Sequence, residues 1–212
     1  MRDKLLILGG SGVGMLAASI AEKFYNFKRI FFLNDDPKIK YIGNYKKFKI
    51  VGNLDKLDFY LKKDDYSIFN AIINYKKIPF SFKNKSILKQ RQVSLIHPNL
   101  SYDKSMVKIG KNVLICSNVT LSTDIEICDG VKIMSNVFIG HNTMIKKNSF
   151  ISASAVIGGN VSISENSFIG LNSTIIENCK VNKNCILGAG SVLTKNMEDR
   201  TIFFGNPAKK YK

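Results

Sequence analysis

Over the second half of the chain, apolar residues return every six positions without a slip: Ile109, Ile115, Leu121, Ile127, Ile133, Ile139, Ile145, Ile151, Ile157, Ile163, Ile169, Ile175, Val181, Leu187 and Leu193. Two residues before each stands a small or β-branched residue, such as Val107, Val113, Val119, Thr143, Ser149, Ala155, Ser167 and Ser173. Three residues after each comes a type that tolerates left-handed backbone. These are Asn112, Asn118, Asp124, Gly130, Asn136, Asn142, Asn148, Asn160, Asn166, Asn172, Asn178, Asn184 and Gly190, with Ser154 the exception. Neither a 3.6-residue helical period nor strict alternation produces this pattern. A triangular solenoid does: each six-residue unit is a short strand plus a corner, and three units close a coil. The isoleucines are expected to fill the prism, and residues eighteen apart to stack at about 4.8 Å. Val107 to Asn196 holds five such coils.

The first half follows a different pattern. Lys4–Leu8 is a short apolar run ending in glycines, and Met15–Phe24 has helical spacing. Arg29–Leu33 reads as a second strand closed by the polar turn Asn34, Asp35, Asp36 and Pro37, a further strand is expected over Ser67–Ile73, and a helix should contain Leu88–Gln92. Strands alternating with helices predict a parallel sheet covered on both faces. The chain therefore divides into a Rossmann-like α/β domain over residues 1–100 and a left-handed parallel β-helix over 101–212, a hexapeptide-repeat solenoid with a C-terminal tail. Its end coils should be capped by the N-terminal domain below and by the tail above.

Composition narrows the function classes. The net charge of +16 admits nucleic acid, an anionic surface or phosphorylated small molecules. The lysines are scattered without interleaved aromatics, which points to phosphate-bearing ligands rather than nucleic acid. The first segment is too short in its apolar run for a signal peptide or a membrane span, so a cytoplasmic protein without membrane insertion is expected. Cys116, Cys128, Cys179 and Cys185 match no zinc spacing and read as small apolar residues. With only His97 and His141, a three-histidine metal site within one chain is excluded, and no metal is expected.

Candidate chemistry is sparse. His141 is the only imidazole in the solenoid and falls at an exposed corner, where it can titrate near neutral pH and reach a substrate, or simply be a solvated surface residue. His97 in SLIHPN suits a packing or helix-ending role. Gly9, Gly10, Ser11, Gly12, Val13 and Gly14 lie between a strand and a helix, where backbone amides can hold a diphosphate, although GGSGVG fits the G-x-G-x-x-G spacing poorly. Asn34 and Asp35 follow the second strand, near where a ribose or base is read, and turn chemistry explains them as well. A flat prism encloses little by itself, so a ligand cleft is expected between prisms of a homotrimer.

GGSGVG after the first strand, FFLNDD after the second, SLIHPN before the solenoid and GNPAK near the C-terminus together resemble the sugar O- and N-acetyltransferases of the sialic acid and bacillosamine pathways, within the hexapeptide-repeat left-handed β-helix superfamily. The resemblance implies a trimer that binds a UDP-amino sugar on the N-terminal domain and acetyl-CoA along the solenoid. It places His141 at the general base and Gly159 at the backbone amide that polarises the thioester. Leu171, Gly188 and Ala189 match positions along the pantetheine arm, and Gly205, Asn206 and Pro207 the segment near the adenine. The implied nucleotide-sugar residues are Gly9, Gly12, Gly14, Asn34, Asp35 and Asn74. The implied reaction is acetyl transfer to the amine of a UDP-linked 4-amino-4,6-dideoxy sugar. O-acetylation of a nonulosonic acid, or a non-catalytic sugar-nucleotide scaffold, are the alternatives. The chain departs from the family at Asn142, where an acidic residue commonly follows the base, and at Phe150, Met134, Val13 and Ile73.

Overall fold

The computed structural model describes residues 3–10, 12–36, 41–42, 47–73 and 85–211. The chain forms two compact units, Met1–Leu95 and Ile96–Lys212.

The first unit is built on a five-stranded sheet. Its elements in chain order are β1 (Lys4–Leu8), α1 (Gly12–Phe24), β2 (Arg29–Leu33), β3 (Tyr41–Ile42), β4 (Phe48–Gly52), α2 (Leu57–Leu61), β5 (Tyr66–Asn70) and α3 (Lys85–Arg91). The strand order is β3-β4-β2-β1-β5, parallel except for the β3–β4 pair. Alternation along the strands divides the core. Leu6, Leu8, Leu33 and Ile68 join Leu54, Leu57, Tyr60 and Leu61 in one buried cluster. Phe32 turns the other way, toward α1, whose buried face is Val13, Gly14, Ala17, Ala18, Ile20 and Ala21. Because β1 connects to β2 on one side and lies beside β5 on the other, the strand order reverses at β1/β5. Ligands of open α/β sheets bind beyond the strand ends at such a point.

Three boundaries differ from expectation. The helix after β1 begins at Gly12, so Gly12 and Gly14 are helical rather than loop residues. The last strand stops at Asn70 because the Asn70 Oδ1 accepts the Ile72 N–H at 3.1 Å and turns the chain. Helix α3 ends at Arg91, and Gln92 makes an isolated bridge to Ile68.

The second unit is the solenoid, a left-handed parallel β-helix. Its three faces are parallel ladders in which residue i pairs with residue i+18: Phe138 with Val156 and Thr174 on one face, Met144 with Ser162 and Lys180 on the next, Phe150 with Phe168 and Ile186 on the third. The three faces carry six, five and eight strands. The inward residues of the six-residue period are buried, Ile109 alone only partly, and form one continuous core. Pairing starts earlier than the repeat does, at Leu95–Ile96 and Leu100–Ser101, where the six-residue signature is lacking. At the far end Ile202–Phe204 adds to the third face, closing the last coil edge with the antiparallel strand Lys209–Lys210.

All fourteen corner positions of the left-handed column have positive φ, Ser154 included at 60°. A serine there costs about 1 kcal/mol against asparagine or glycine. It is held because the Ser154 N–H donates to Ser135 O at 3.0 Å in the same corner ladder as its neighbours. Asparagine corners add a second ladder, with Nδ2 to Oδ1 bonds joining Asn118 to Asn136 and Asn142 to Asn160, each at 3.2 Å.

One side chain on the third face departs from a solvated outer surface. Lys132 is 4% exposed, its Nζ donating to Asn112 O at 2.6 Å and Gly130 O at 3.1 Å. Burial pushes its ammonium down to about 7 from the ordinary 10.5. Between those values the unfolded chain holds a proton that the folded chain has released, so stability rises with pH across that window. Lys132→Met is expected to flatten this dependence, read as the melting temperature between pH 7 and pH 10.

Candidate active site

Glycine creates the geometry around His141. The corner between the first and second faces carries, at intervals of eighteen, Thr123, His141, Gly159 and Glu177, and the ladder runs through Asn142 N to Thr123 O, Asn160 N to His141 O and Asn178 N to Gly159 O. His141 is exposed, and its imidazole lies over the next coil. A Cβ added to Gly159 would stand 2.5 Å from His141 Nε2, 2.7 Å from Cε1 and 3.0 Å from Cδ2. The φ of Gly159 is ordinary, so space rather than backbone conformation requires the glycine. Gly159 N–H donates to no backbone carbonyl of the corner ladder, whereas Asn160 N–H does. An imidazole and an unused backbone donor therefore lie together at one corner, which suits a base beside an oxyanion donor.

Gly140 and Gly158 tighten the same corner. A Cβ on Gly140 would come within 2.6 Å of Gly158 C and Gly159 N, and one on Gly158 within 2.7 Å of Glu177 N. Gly140 and Gly158 stand eighteen residues apart, which puts them in successive coils at this corner.

A second group gathers at a different corner, between the third and first faces. Leu171 and Ala189 are consecutive in one column, tied by Gly190 N to Leu171 O at 2.8 Å. A Cβ on Gly170 would come within 2.5 Å of Ala189 N, and one on Gly188 within 2.8 Å of Phe204 Cβ. The tail folds onto this column: Gly205 N donates to Ser191 Oγ at 3.0 Å, Val192 N to Gly205 O at 3.0 Å, and the Asn206–Pro207 peptide is cis. Leu171, Gly188, Ala189, Gly205, Asn206 and Pro207 are thus brought together on the last coils. The surface there has few side chains and is edged by Leu171, which is 57% exposed, and by exposed Ile186. The two groups stand at opposite ends of one prism face, six residues or roughly 20 Å apart in extended chain.

In the first unit, Gly9, Gly12, Gly14 and Asn34 converge beyond the ends of β1 and β2. Gly9 has φ 93°, its N–H donates to Leu33 O, and an added Cβ would press on Ile72 Cγ1 at 2.8 Å. Gly14 is buried, and a Cβ there would collide with the Gly9 carbonyl oxygen, so the helix can start close to the strand only with glycine. Gly12 is exposed with open space around its Cα. Asn34 Oδ1 accepts from Gly10 N at 3.3 Å, bracing the glycine turn. Asp35 does something the sequence did not foretell: its Oδ1 accepts the Leu54 N–H at 2.9 Å and starts the short turn Leu54–Lys56. Asn74 lies outside the described residues. His97 accepts the Asn99 N–H on Nδ1 at 3.1 Å, a turn-forming contact.

Cys116, Cys179 and Cys185 are buried and Cys128 is partly so, all as free thiols. Burial pushes the Cys116 thiol up to about 12, which makes it inert. Among the described residues no group of three His, Cys, Asp or Glu side chains gathers to hold a metal, and no helix is long and apolar enough to cross a membrane.

Known proteins match both units. Residues 4–77 match the PglD N-terminal domain, and residues 106–141, 124–159 and 160–195 match the bacterial transferase hexapeptide model of six repeats. No curated protein matches the chain. Among solved structures, the acetyltransferase domain of PglB from Neisseria gonorrhoeae FA1090 in complex with acetyl coenzyme A is 23% identical, with 99% of this chain and 100% of that chain covered at a TM-score of 0.83. PerB from Caulobacter crescentus, solved with CoA and GDP-perosamine, is 22% identical over 99% of this chain and 97% of that chain, TM-score 0.83. WeeI from Acinetobacter baumannii AYE is 21% identical over 97% and 98%, TM-score 0.76. At these identities the likeness is one of fold. The family matches follow the two units of the chain: a PglD N-terminal domain match is followed by matches to the bacterial transferase hexapeptide.

Proposed function

We propose that the protein is an acetyl-CoA-dependent N-acetyltransferase acting on a nucleotide-linked 4-amino sugar, a UDP-linked 4-amino-4,6-dideoxy sugar being the first candidate. The observation that carries this reading is the imidazole of His141 laid over Gly159, beside a backbone N–H that the ladder does not use. In the reaction, His141 takes a proton from the acceptor amine as nitrogen attacks the thioester carbonyl carbon. The N–C bond forms, the carbonyl oxygen gathers charge facing the Gly159 amide, and the C–S bond breaks. The imidazolium then returns its proton to the CoA thiolate. One oxyanion donor of this kind contributes about 3 kcal/mol.

Acetyl-CoA would lie along Leu171, Gly188, Ala189 and the Gly205–Pro207 tail, where missing side chains leave room for the pantetheine arm and Leu171 offers an apolar edge. Since this corner and His141 stand at opposite ends of one prism face, the donor held at one chain's corner would meet His141 of another. That supports a homotrimer with three clefts between prisms. The nucleotide would sit at the reversal point of the first unit, its diphosphate over Gly9 and the start of α1 at Gly12, with Asn34, Asp35 and Asn74 around the nucleoside. Acetyl-CoA as donor agrees with a cytoplasmic setting.

A GDP-linked acceptor is a second reading, favoured by the likeness to a protein solved with GDP-perosamine. The deciding experiment offers purified protein acetyl-CoA with UDP-linked and GDP-linked 4-amino sugars and with a nonulosonic acid, and follows CoA release and product mass. Acetylation of a nucleotide-linked amine is the expected result. Acetylation of the nonulosonic acid alone would move the reading to O-acetyl transfer, and no turnover with any acceptor would leave a binding scaffold.

A further inference from the structure

Beside His141 stands Asn142, whose Nδ2 is committed to Asn160 Oδ1 in the corner ladder, so it does not orient the ring. A carboxylate does occur in the same column, two coils farther on. Glu177 is exposed at the corner position eighteen residues after Gly159 and thirty-six after His141. The intervening coil presents Gly158 and Gly159, which have no side chains to separate the two. From one side, the distal edge of the imidazole already covers Gly159, with Nε2 leading. From the other, Glu177 leans over the same coil, its Cγ 3.0 Å from where a Gly158 Cβ would stand. Two coils span about 9.6 Å. The ring crosses the first of them, and a glutamate side chain is long enough to close the second.

We propose that Glu177 is the positioning carboxylate of His141. It faces the imidazole across the Gly158–Gly159 gap, fixes the ring for proton transfer and stabilises the imidazolium formed when the acceptor amine gives up its proton. The role rests on the acetyl-transfer reading, while the pairing itself does not. The other groups around the imidazole are few. The adjoining first-face row is Phe138, Val156 and Thr174, all uncharged, and the second-face row is Lys108, Glu126, Met144, Ser162 and Lys180. Along the corner itself, Asp124 lies one coil below Asn142, and Lys195 one coil beyond Glu177. Glu177 is the carboxylate that shares the His141 column with only a side-chain-free residue between them.

The test is Glu177→Gln in the full-length protein, read first by the NMR signals of the imidazole rings. With only two histidines, His141→Asn assigns the signals. A facing carboxylate fixes the ring, so its removal should move the His141 ring signals and leave those of His97 in place. Unmoved His141 signals overturn the pairing whether or not the protein turns over any acceptor. In the acetyl-transfer assay, Glu177→Gln should lower kcat about tenfold, move the acidic limb of the pH profile to lower pH and leave the acetyl-CoA Kd unchanged, with Glu177→Asp recovering part of the loss. Moved ring signals with wild-type kcat would overturn the catalytic role. Absence of turnover in the wild-type protein would count against the acetyl-transfer reading alone.

Discussion

His141→Ala or His141→Asn lowers turnover by roughly 10² to 10⁴, the contribution of a positioned general base, and leaves acetyl-CoA affinity nearly unchanged. The two effects separate because the residues proposed for the donor, Leu171, Ala189 and the Gly205–Pro207 tail, occupy another corner and hold no contact with the imidazole. The imidazole is needed only while the nucleophile loses its proton, so its loss falls on kcat. The deficit should shrink as pH rises, since an acceptor amine then sheds its proton unaided. Stability should not follow the loss of activity. The ring is exposed, and His141 holds the coil through its backbone oxygen, which accepts from Asn160 N at 2.8 Å in either variant. Steady-state rates against pH, alongside calorimetric titration of acetyl-CoA, check both halves. Full activity at pH 7 would remove His141 from the mechanism.

Ile157→Asp should be the most damaging substitution to the fold. Ile157 is fully buried between Ile139 and Ile175, its partners in the coils on either side, within a core made of isoleucine, valine and leucine. Removing the side chain costs about 3 kcal/mol or more, and a carboxyl in its place finds no polar partner, adding several kcal/mol. The total approaches the whole stability of an ordinary domain, about 5–15 kcal/mol. The expected outcome is a solenoid that melts at least about 15 °C lower, or that fails to accumulate in soluble form. Ile157→Val, which keeps the apolar contact and loses one methyl group, should cost about 1 kcal/mol. Thermal melts of the two variants against the parent decide the matter. An unchanged melting temperature for Ile157→Asp would mean that the side chain faces outward.

The six-residue period was sufficient by itself to identify the inward positions, the corner asparagines and the coil length. In a solenoid, tertiary neighbours are set by a fixed sequence offset, so counting by eighteen from His141 reaches Gly159 and then Glu177 without any coordinates. The strands Lys4–Leu8 and Arg29–Leu33 were legible for a related reason, being short apolar runs ended by glycine or a polar turn. Other features depended on which distant atoms come to lie near one another. Asp35 had the appearance of a ligand reader, and the Leu54 amide, nineteen residues on, claims its Oδ1. Ser154 broke the corner rule in composition and obeys it in φ, because the coils on either side impose the turn on whatever residue stands there. Lys132 was an ordinary outward lysine by its place in the repeat, and burial makes it a titrating group. The requirement for glycine at 159 came from the imidazole lying across it, a contact between side-chain volumes. A periodic sequence determines which backbone positions stack. Which side chains then fill, cross or vacate the space between them is decided by packing in three dimensions, where excluded volume and desolvation act without regard to distance along the chain.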